Sequence, residues 1–359
     1  MRRLPAWVAT IGLCLALPPL AHAQSALPSC ERSDGAAFRD VHWRNEQPPH
    51  PLMGQVFKGD RPIIIASDTC IRTPLRQLIV ELWDVLREGG IVLLGEVHDN
   101  PEHHAVRGEI LWPRLDPRVA NGNLRPAAVF EHIRATQQAQ VDAFYRKAAR
   151  SHRVWRASDL LRVLKWDETG WPDADAFHPL FDAALRAKLP IYPGNAARDR
   201  MRALVRGDQT GISEEELTLL KTAQAMPEAL VRALAVELEG SHCGVMPASA
   251  FGPMSLAQRY TDAHMAESLA KAAQKHGGAF LLAGNGHVRT DRGVPWYLRK
   301  MAPARKIVAV MLLEVEAGKD DAGGYAPRTP DGHWATDYVL FTPQHVRPDP
   351  CEKMRQGKR

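Results

Sequence analysis

The chain has 359 residues, of which 46 are Lys or Arg and 41 are Asp or Glu, so its formal net charge at pH 7 is only +5. Hydrophobic residues make up 45% of the chain, which is enough to build a large core. The basic residues are scattered and form no patch of the kind that binds nucleic acid. We therefore expect a globular protein without a nucleic-acid partner.

The first 23 residues have the pattern of a secretory signal peptide. Arg2 and Arg3 precede a short apolar segment, and Ala21-His22-Ala23 matches a signal-peptidase site. The apolar segment is too short to span a membrane, and the residue before Cys14 is not the small residue that lipoprotein processing requires. The sequence thus predicts cleavage after Ala23, a periplasmic or secreted location, no lipid anchor at Cys14 and no transmembrane segment in the mature chain.

Composition divides the mature chain into three parts. Residues 24–60 are rich in Pro, polar and charged residues and predict an extended arm, whereas residues 346–359 predict a basic, frayed tail. The part between them, residues 61–345, carries alternating strands and helices. Two long helical regions, at 136–187 and 198–275, predict a helical insertion that could form a lid over the domain.

Short apolar runs predict the strands of this domain. They lie at residues 62–66, 91–94, 127–130, 189–192, 279–283, 307–313 and 338–341. Their alternation with helices predicts an α/β fold with a mostly parallel central sheet flanked by helices. Ser213 with Glu216 forms a capping box that starts one helix, and Pro227 separates that helix from the next.

Four cysteines remain after cleavage, at positions 30, 70, 243 and 351. An even number in an exported chain permits disulfides. Cys30 and Cys351 lie near the two mature termini, and the termini of a domain often lie close together. We therefore expect a Cys30–Cys351 disulfide. None of the cysteine spacings resembles a zinc knuckle.

Residues 95–104 form the most informative stretch, because they follow a predicted strand directly. Three imidazoles and three carboxylates fall within nine residues, and Asn100-Pro101 is typical of the start of a helix. The polar cluster therefore lies where a strand ends and a helix begins. In open α/β sheets, ligands bind outside the carboxyl ends of the strands.

Two further polar clusters follow predicted strands. Gly284-Asn285-Gly286-His287 follows the strand at 279–283, and Glu131-His132 follows the strand at 127–130. If the three strands are parallel neighbours, their polar ends share one edge of the sheet. A lone His at a strand end is commonly structural, but two Gly-x-x-His elements in this position favour metal binding or acid–base chemistry.

These motifs resemble those of the ChaN-like haem-binding uptake proteins of the Tiki superfamily. The resemblance is carried by residues 95–104, Glu131, 284–289 and 293–295, and it continues through 241–244, Gln258 with Asp262, Met265-Ala266 and Asp337-Tyr338. It spans residues 60–345 in the expected order. It implies an α/β fold with a mostly parallel sheet, a site at the carboxyl edge of that sheet, and binding of haem or iron.

The resemblance also implies that a Tyr holds the haem iron in haem-binding relatives. In this chain Tyr260, Tyr192 and Tyr297 are all candidates for that ligand. The residues expected to contact the haem are Tyr260, His264, Met265, His103 and His104. Because His103 and His104 are adjacent on a helix, their side chains point about 100° apart, and we expect one of them to be solvated.

An aromatic-rich stretch could supply a wall for the macrocycle. It contains Trp155, Trp166, Trp171, His178 and Phe181. Such side chains pack most often in a core, whereas a planar, mostly apolar ligand also requires an aromatic surface. The sequence leaves both roles open.

The leading interpretation is an exported haem- or iron-binding protein that takes up, stores or relays haem. Its cofactor would be haem, iron protoporphyrin. The partners considered are haem, a second copy of this chain, and components of haem or iron transport.

The alternative is a metal-dependent hydrolase, of esterase or peptidase type, built on the two Gly-x-x-His motifs. In that interpretation His98, Glu131 and His287 bind a divalent transition metal. Glu96 and His98 are its catalytic residues, and Glu96 acts as the general base that activates a bound water.

Overall fold

The computed structural model describes residue 43 and residues 48–65, 73–112, 124–208 and 210–356. The described residues all belong to one compact unit, Phe38–Arg359. The predicted signal peptide and residues 24–42 of the predicted arm lie outside them. Within the described part, no helix is long and apolar enough to cross a membrane.

The described residues form eight strands and the helices that connect them. The strands are β1 (Val56–Lys58), β2 (Arg61–Pro62), β3 (Ile91–Leu94), β4 (Ala127–Arg134), β5 (Ile191–Asn195), β6 (Ala279–Leu282), β7 (Ile307–Glu314) and β8 (Tyr338–Thr342). The helices are α1 (Pro74–Arg87), α2 (Pro101–Leu111), α3 (Gln138–Ala149), α4 (Ala157–Val163), α5 (Ala174–Arg186), α6 (Arg198–Val205), α7 (Glu214–Gln224), α8 (Glu228–Ser241), α9 (Ala248–His276), α10 (Val294–Met301) and α11 (Pro350–Gln356).

The strands form one sheet in the order β2-β1-β8-β7-β3-β6-β4-β5. Strands β8 to β5 in this order are all parallel, whereas β1 and β2 add an antiparallel edge. The register aligns Leu94 of β3 and Phe130 of β4 with Leu282 of β6. The mostly parallel α/β fold is confirmed, and β3, β6 and β4 are adjacent strands. Strands β3 and β6 end level with each other, whereas β4 continues beyond them to Arg134.

Both faces of the sheet are covered, which explains why its strands are continuous apolar runs. Alternate residues, such as Val92 and Leu94, face a core shared with α1 to α5, whereas Ile91 and Leu93 face a core shared with α6, α7, α9 and α10. The sheet is therefore the middle layer of three. The polar residues that follow β3 and β6, and those in the last part of β4, lie at its carboxyl edge.

The helical insertion packs around α9, a helix of 29 residues that also contacts β4, β5 and β6. Ser213 and Glu216 form the expected capping box at the start of α7. Helices α7 and α8 end and begin on either side of Pro227, as the sequence predicts. A lid role for this insertion stays a prediction.

Three strand predictions differ from the structure. The run at 127–130 continues to Arg134 as β4, so Glu131 and His132 lie within the strand and not after it. The run at 62–66 forms only the short strand β2, which ends at Pro62. One further hydrogen bond, from the Ile63 N–H to the carbonyl of Val56 at 2.8 Å, continues its contact with β1. The run at 189–192 begins two residues later, as β5. In addition, β1 falls inside the predicted arm but pairs with β8 in the sheet.

The expected Cys30–Cys351 disulfide is wrong, because Cys351 is bonded to Cys243 with a Cα–Cα distance of 5.5 Å. Cys30 and Cys70 lie outside the described residues. The C-terminal segment is also docked, not frayed, at its start: Arg347 pairs with Asp99 at 2.8 Å and with Glu314 at 2.5 Å. These contacts hold the C-terminal segment against the edge of the sheet. The pairing of Cys351 therefore follows from this docking and not from the closeness of the two chain ends.

Candidate functional site at the carboxyl edge of the sheet

Glu131 joins the ends of three adjacent strands. Its Oε2 accepts a hydrogen bond from the backbone N–H of Gly284 at 2.7 Å. Its Oε1 lies 3.3 Å from His287 Nε2 and 3.8 Å from His98 Nε2. The two Gly-x-x-His elements therefore meet at one carboxylate, as their placement at the ends of neighbouring parallel strands predicts.

The glycines of both elements are needed because other groups approach their Cα atoms closely. A Cβ on Gly284 would lie 2.9 Å from His98 Nε2, and a Cβ on Gly95 would clash with Asn285 Oδ1. Asn285 in turn donates to the carbonyl of Leu312 at 2.8 Å, which fixes this loop against the end of β7. The Gly-x-x-His pattern thus reflects close packing between the two loops.

Glu96 lies beneath the site and contacts four side chains. Its Oε1 lies 2.7 Å from His98 Nδ1 and 2.7 Å from His132 Nε2. Its Oε2 lies 3.0 Å from His104 Nδ1 and forms an ion pair with Arg107. The Glu96 side chain has no exposed surface. A general base must reach the proton that it removes, so this geometry favours an orienting role for Glu96 over the catalytic role expected from the sequence.

His98 presents a ring nitrogen to the site. Because its Nδ1–H is directed at Glu96, its Nε2 faces Glu131 and the solvent, and its side chain is 36% exposed. The ring centre of Trp171 lies 4.9 Å from that of His98. An imidazole whose second nitrogen donates to a carboxylate is the usual arrangement of a metal-binding His.

His132 and Arg107 complete the buried part of the site. The sequence placed His132 in the polar cluster with Glu131, whereas Arg107 was not selected from the sequence. Burial lowers the pKa of His132 well below its usual value, so the ring is neutral. Its Nδ1 is buried without a hydrogen-bond partner in the described part of the chain. Burial also lowers the pKa of Arg107 to about 9. The spacing of Arg107, three residues after His104 on α2, was the available signal, since such residues share a helix face.

His287 is held between two carboxylates. Its Nδ1 lies 2.5 Å from Asp262 Oδ1, and Gln258 also contacts the ring. Burial alone would lower the pKa of His287, but the charges of Glu131 and Asp262 outweigh it and raise the pKa well above the usual value. Burial raises the pKa of Asp262 to about 6. His287 is thus an imidazolium, which must lose its Nε2 proton before it can bind a metal.

Glu131 is ionised in this arrangement. Burial alone would raise its pKa, but the neighbouring His287 and His98 rings hold the pKa well below its usual range. The predicted metal set of His98, Glu131 and His287 is therefore brought together. The structure places a second group, Glu96, His98 and His132, even closer, with one ligand atom from each within 4.8 Å of the others.

A family model described as haem-binding uptake, Tiki superfamily, ChaN, matches residues 82–298. The matched segment contains both Gly-x-x-His elements and all the residues of the site described above. The chain belongs to this family. No curated protein matches the sequence.

A solved structure shows the same fold. A structure of ChaN of Campylobacter jejuni, which describes cofacial haem binding, aligns with a TM-score of 0.56 and 19% identity over 79% of this chain and 95% of that one. Two more distant matches are the type III effector HopBA1, with a TM-score of 0.37, 12% identity and coverage of 74% and 94%, and a Bacillus cereus protein, with a TM-score of 0.32, 14% identity and coverage of 77% and 75%. The first of these structures supports the α/β fold.

Two of the haem contacts expected from the sequence of this ChaN-family chain lie inside the fold. His103 Nδ1 accepts from the N–H of Val97 at 2.8 Å, and its Nε2 lies 2.8 Å from Thr342 Oγ1. His104 Nε2 donates to the carbonyl of His98 at 3.0 Å. Both rings are completely buried, so the expectation that one is solvated is wrong. Helix α2 lies between the sheet and α5, which leaves neither ring a solvent face.

The other expected contacts lie on α9. Tyr260 and Met265 are buried in the apolar core, and burial raises the pKa of Tyr260 to about 12. His264 is half-buried, and its Nδ1–H donates to the carbonyl of Gly194 at 2.9 Å, which leaves its Nε2 available. Tyr297 is fully buried, and Tyr192 contacts His276 near the opposite end of α9.

The aromatic stretch divides between the two roles that its sequence left open. Trp166 is buried in the core with Phe181. Trp171 is half-exposed, packs on His98 and donates through Nε1 to the carbonyl of His132 at 3.0 Å. Trp171 is therefore the aromatic residue that adjoins the site.

Proposed function

We propose that this chain is an exported haem-binding protein that takes up, stores or relays haem or iron. The match of residues 82–298 to the haem-binding uptake family carries the proposal. The signal-peptide pattern before Gln24 supports export. The Cys243–Cys351 disulfide supports the same location, because such bonds persist in oxidising compartments.

The residues at the carboxyl edge fit a haem iron. His98 Nε2 is the ring nitrogen that faces Glu131 and the solvent. The hydrogen bond between Glu96 and Nδ1 fixes the tautomer of the ring and increases the basicity of Nε2. Trp171 supplies a flat apolar surface beside it. When bound, haem supplies an iron that accepts an axial imidazole. We assign that role to His98.

His264 is the second candidate for an axial ligand. Like His98, it is partly exposed, and a hydrogen bond anchors its Nδ1 and leaves Nε2 available. Tyr260, Met265, His103 and His104 would then support the site through packing and hydrogen bonds beneath it.

Spectroscopic titration with haemin tests these assignments. We expect His98→Ala to shift the Soret band of the complex and weaken binding, because the axial ligand sets the electronic state of the iron. His264→Ala tests the second candidate in the same way. His333→Ala is the control, since the His333 side chain is 83% exposed and has Asp331 as its ion-pair partner. Identical spectra for wild type and both site variants would exclude both ligands.

A bound divalent metal, with hydrolysis, is the second proposal. The compact group of Glu96, His98 and His132 favours a metal site. The adjacent Arg107 opposes it, because its positive charge already neutralises Glu96. Metal analysis of the purified protein, followed by ester and peptide hydrolysis assays, tests this proposal. A metal present in wild type and absent from His98→Ala would support it.

Self-association and binding to haem-transport components are further proposals, tested by size-exclusion chromatography and pull-down.

A further inference from the structure

A cavity of about 440 Å³ opens beside the site, between the ends of β4 and β5 and helices α6 and α9. Glu131 and His287 lie at its inner end. Four arginines line the rest of it: Arg134, Arg198, Arg202 and Arg206. Glu131 is the only carboxylate among the lining residues, and the Gly284 N–H and His287 already engage it. The cavity thus carries an excess of positive charge.

The spacing of the arginines on α6 explains why they converge. Arg198 and Arg202 lie four residues apart on one face of the helix, and Arg206 follows at its C-cap. Arg134, at the end of β4, lines the same space. Like charges at this spacing repel one another and destabilise a helix. Arg198 is also the first residue of α6, where the helix dipole disfavours a cation.

Arg200, which also lies on α6 but does not line the cavity, has its charge neutralised. Arg200 forms an ion pair with Glu216 of α7 at 2.9 Å. Arg202 reaches only Asp199, at 3.9 Å, and Asp199 is 99% exposed, so this pair contributes little. Within the described part of the chain, neither Arg134 nor Arg206 forms an ion pair. Burial and the charges of Arg198 and Arg202 lower the pKa of Arg134.

We propose that this arginine cluster is an oxyanion-binding site that holds the propionate carboxylates of haem. The inference rests on the proposed haem-binding function. Guanidinium groups bind carboxylates through paired, charge-assisted hydrogen bonds, so four of them suit two carboxylates. Glu131 at the inner end of the cavity contacts His98, so the cluster adjoins the proposed iron ligand. An anion in the cavity also relieves the repulsion along α6.

The test compares haemin with haemin dimethyl ester, in which both propionates are blocked. Arg202→Gln and Arg206→Gln remove exposed side chains and should not disturb folding. We expect each to weaken haemin binding roughly 5- to 30-fold and to leave the affinity for the ester unchanged. Arg61→Gln is the matched control, because Arg61 is exposed on β2 at the opposite edge of the sheet. Haemin affinity of the wild type should also fall with increasing salt.

Inorganic phosphate separates this inference from the haem proposal. If haemin and its ester bind equally well and the arginine variants match the wild type, the propionate assignment is overturned while haem binding stands. If haemin does not bind the wild type, both the proposed function and the propionate assignment fail. Phosphate binding that Arg202→Gln and Arg206→Gln weaken would then show that the cavity takes a phosphate group instead.

Discussion

Glu131 accepts a hydrogen bond from the backbone N–H of Gly284 at 2.7 Å, which ties the end of β4 to the end of β6. Glu131 lies beside His98 because Gly284 has no side chain to separate them, as the Cβ of any other residue would approach His98 Nε2 to 2.9 Å. The site therefore depends on backbone packing as much as on its ionisable groups.

Gly284→Ala should displace the His98 ring and weaken haemin binding. We expect the overpacking to cost about 1–3 kcal/mol of unfolding free energy. Gly286→Ala, in the same loop, is the control, because its nearest neighbour would be Glu237 Oε1 at 3.8 Å. Denaturant unfolding and haemin titration measure both effects. Equal behaviour of the two variants would contradict the close-packing interpretation of the Gly-x-x-His motif.

Glu96→Ala should be among the most destabilising substitutions in the chain. It leaves the buried Arg107 without its carboxylate, and breaking a buried ion pair costs about 3–5 kcal/mol. Glu96→Ala combined with Arg107→Met should recover part of this loss, because no unpaired charge remains. Urea unfolding of the two single variants and the double variant gives the coupling energy. Additive losses would show that the two residues do not interact.

His103 should make the stability pH-dependent. Burial lowers its pKa from 6.5 to about 3 in the folded chain, and protonation would remove the Nδ1 lone pair that accepts from Val97. Between pH 6.5 and 3 the unfolded chain therefore binds a proton at His103, whereas the folded chain does not. The stabilisation that His103 provides is complete above pH 6.5 and is lost as the pH falls, by up to about 1.4 kcal/mol of unfolding free energy per pH unit.

His103→Gln should reduce the slope of unfolding free energy against pH in this window by up to one proton. His333→Gln is the control, since the His333 side chain is 83% exposed. An unchanged slope in His103→Gln would show that His103 is protonated in the folded protein.

The Cys243–Cys351 disulfide should stabilise the fold by closing a long loop. With a sequence separation of 108 residues, the chain-entropy treatment gives an upper value of about 4–5 kcal/mol. Cys243→Ser and Cys351→Ser should cause equal losses of unfolding free energy, and the double variant should lose no more than either. Additive losses would contradict the bond, as would a Cys30–Cys351 peptide in a non-reducing digest.

Local patterns were sufficient to predict the strands that carry the site. The apolar runs before Gly95 and Gly284 predicted where β3 and β6 end, and a parallel sheet places such ends together. The run before Glu131 predicted the start of β4 but not its end, because the strand continues to Arg134. The convergence of His98, Glu131 and His287 followed from that argument alone. The Asn100 cap of α2 was likewise readable, because capping depends on adjacent residues.

Tertiary packing decided what the sequence could not show. Arg107 meets Glu96 because α2 folds back against the site, and His103 is buried because β8 lies over it. Cys351 reaches Cys243 through the docking of Arg347 on Asp99 and Glu314, contacts between residues more than thirty positions apart. No local pattern encodes such distant pairs.

We propose that the folded chain binds haem at the carboxyl edge of the sheet. The decisive experiment is titration of the purified wild-type protein with haemin, followed by absorption spectroscopy and iron analysis. We expect a defined Soret shift that saturates at a stoichiometric ratio of haem to chain and is altered in His98→Ala. A spectrum that remains that of free haemin at every ratio would contradict it.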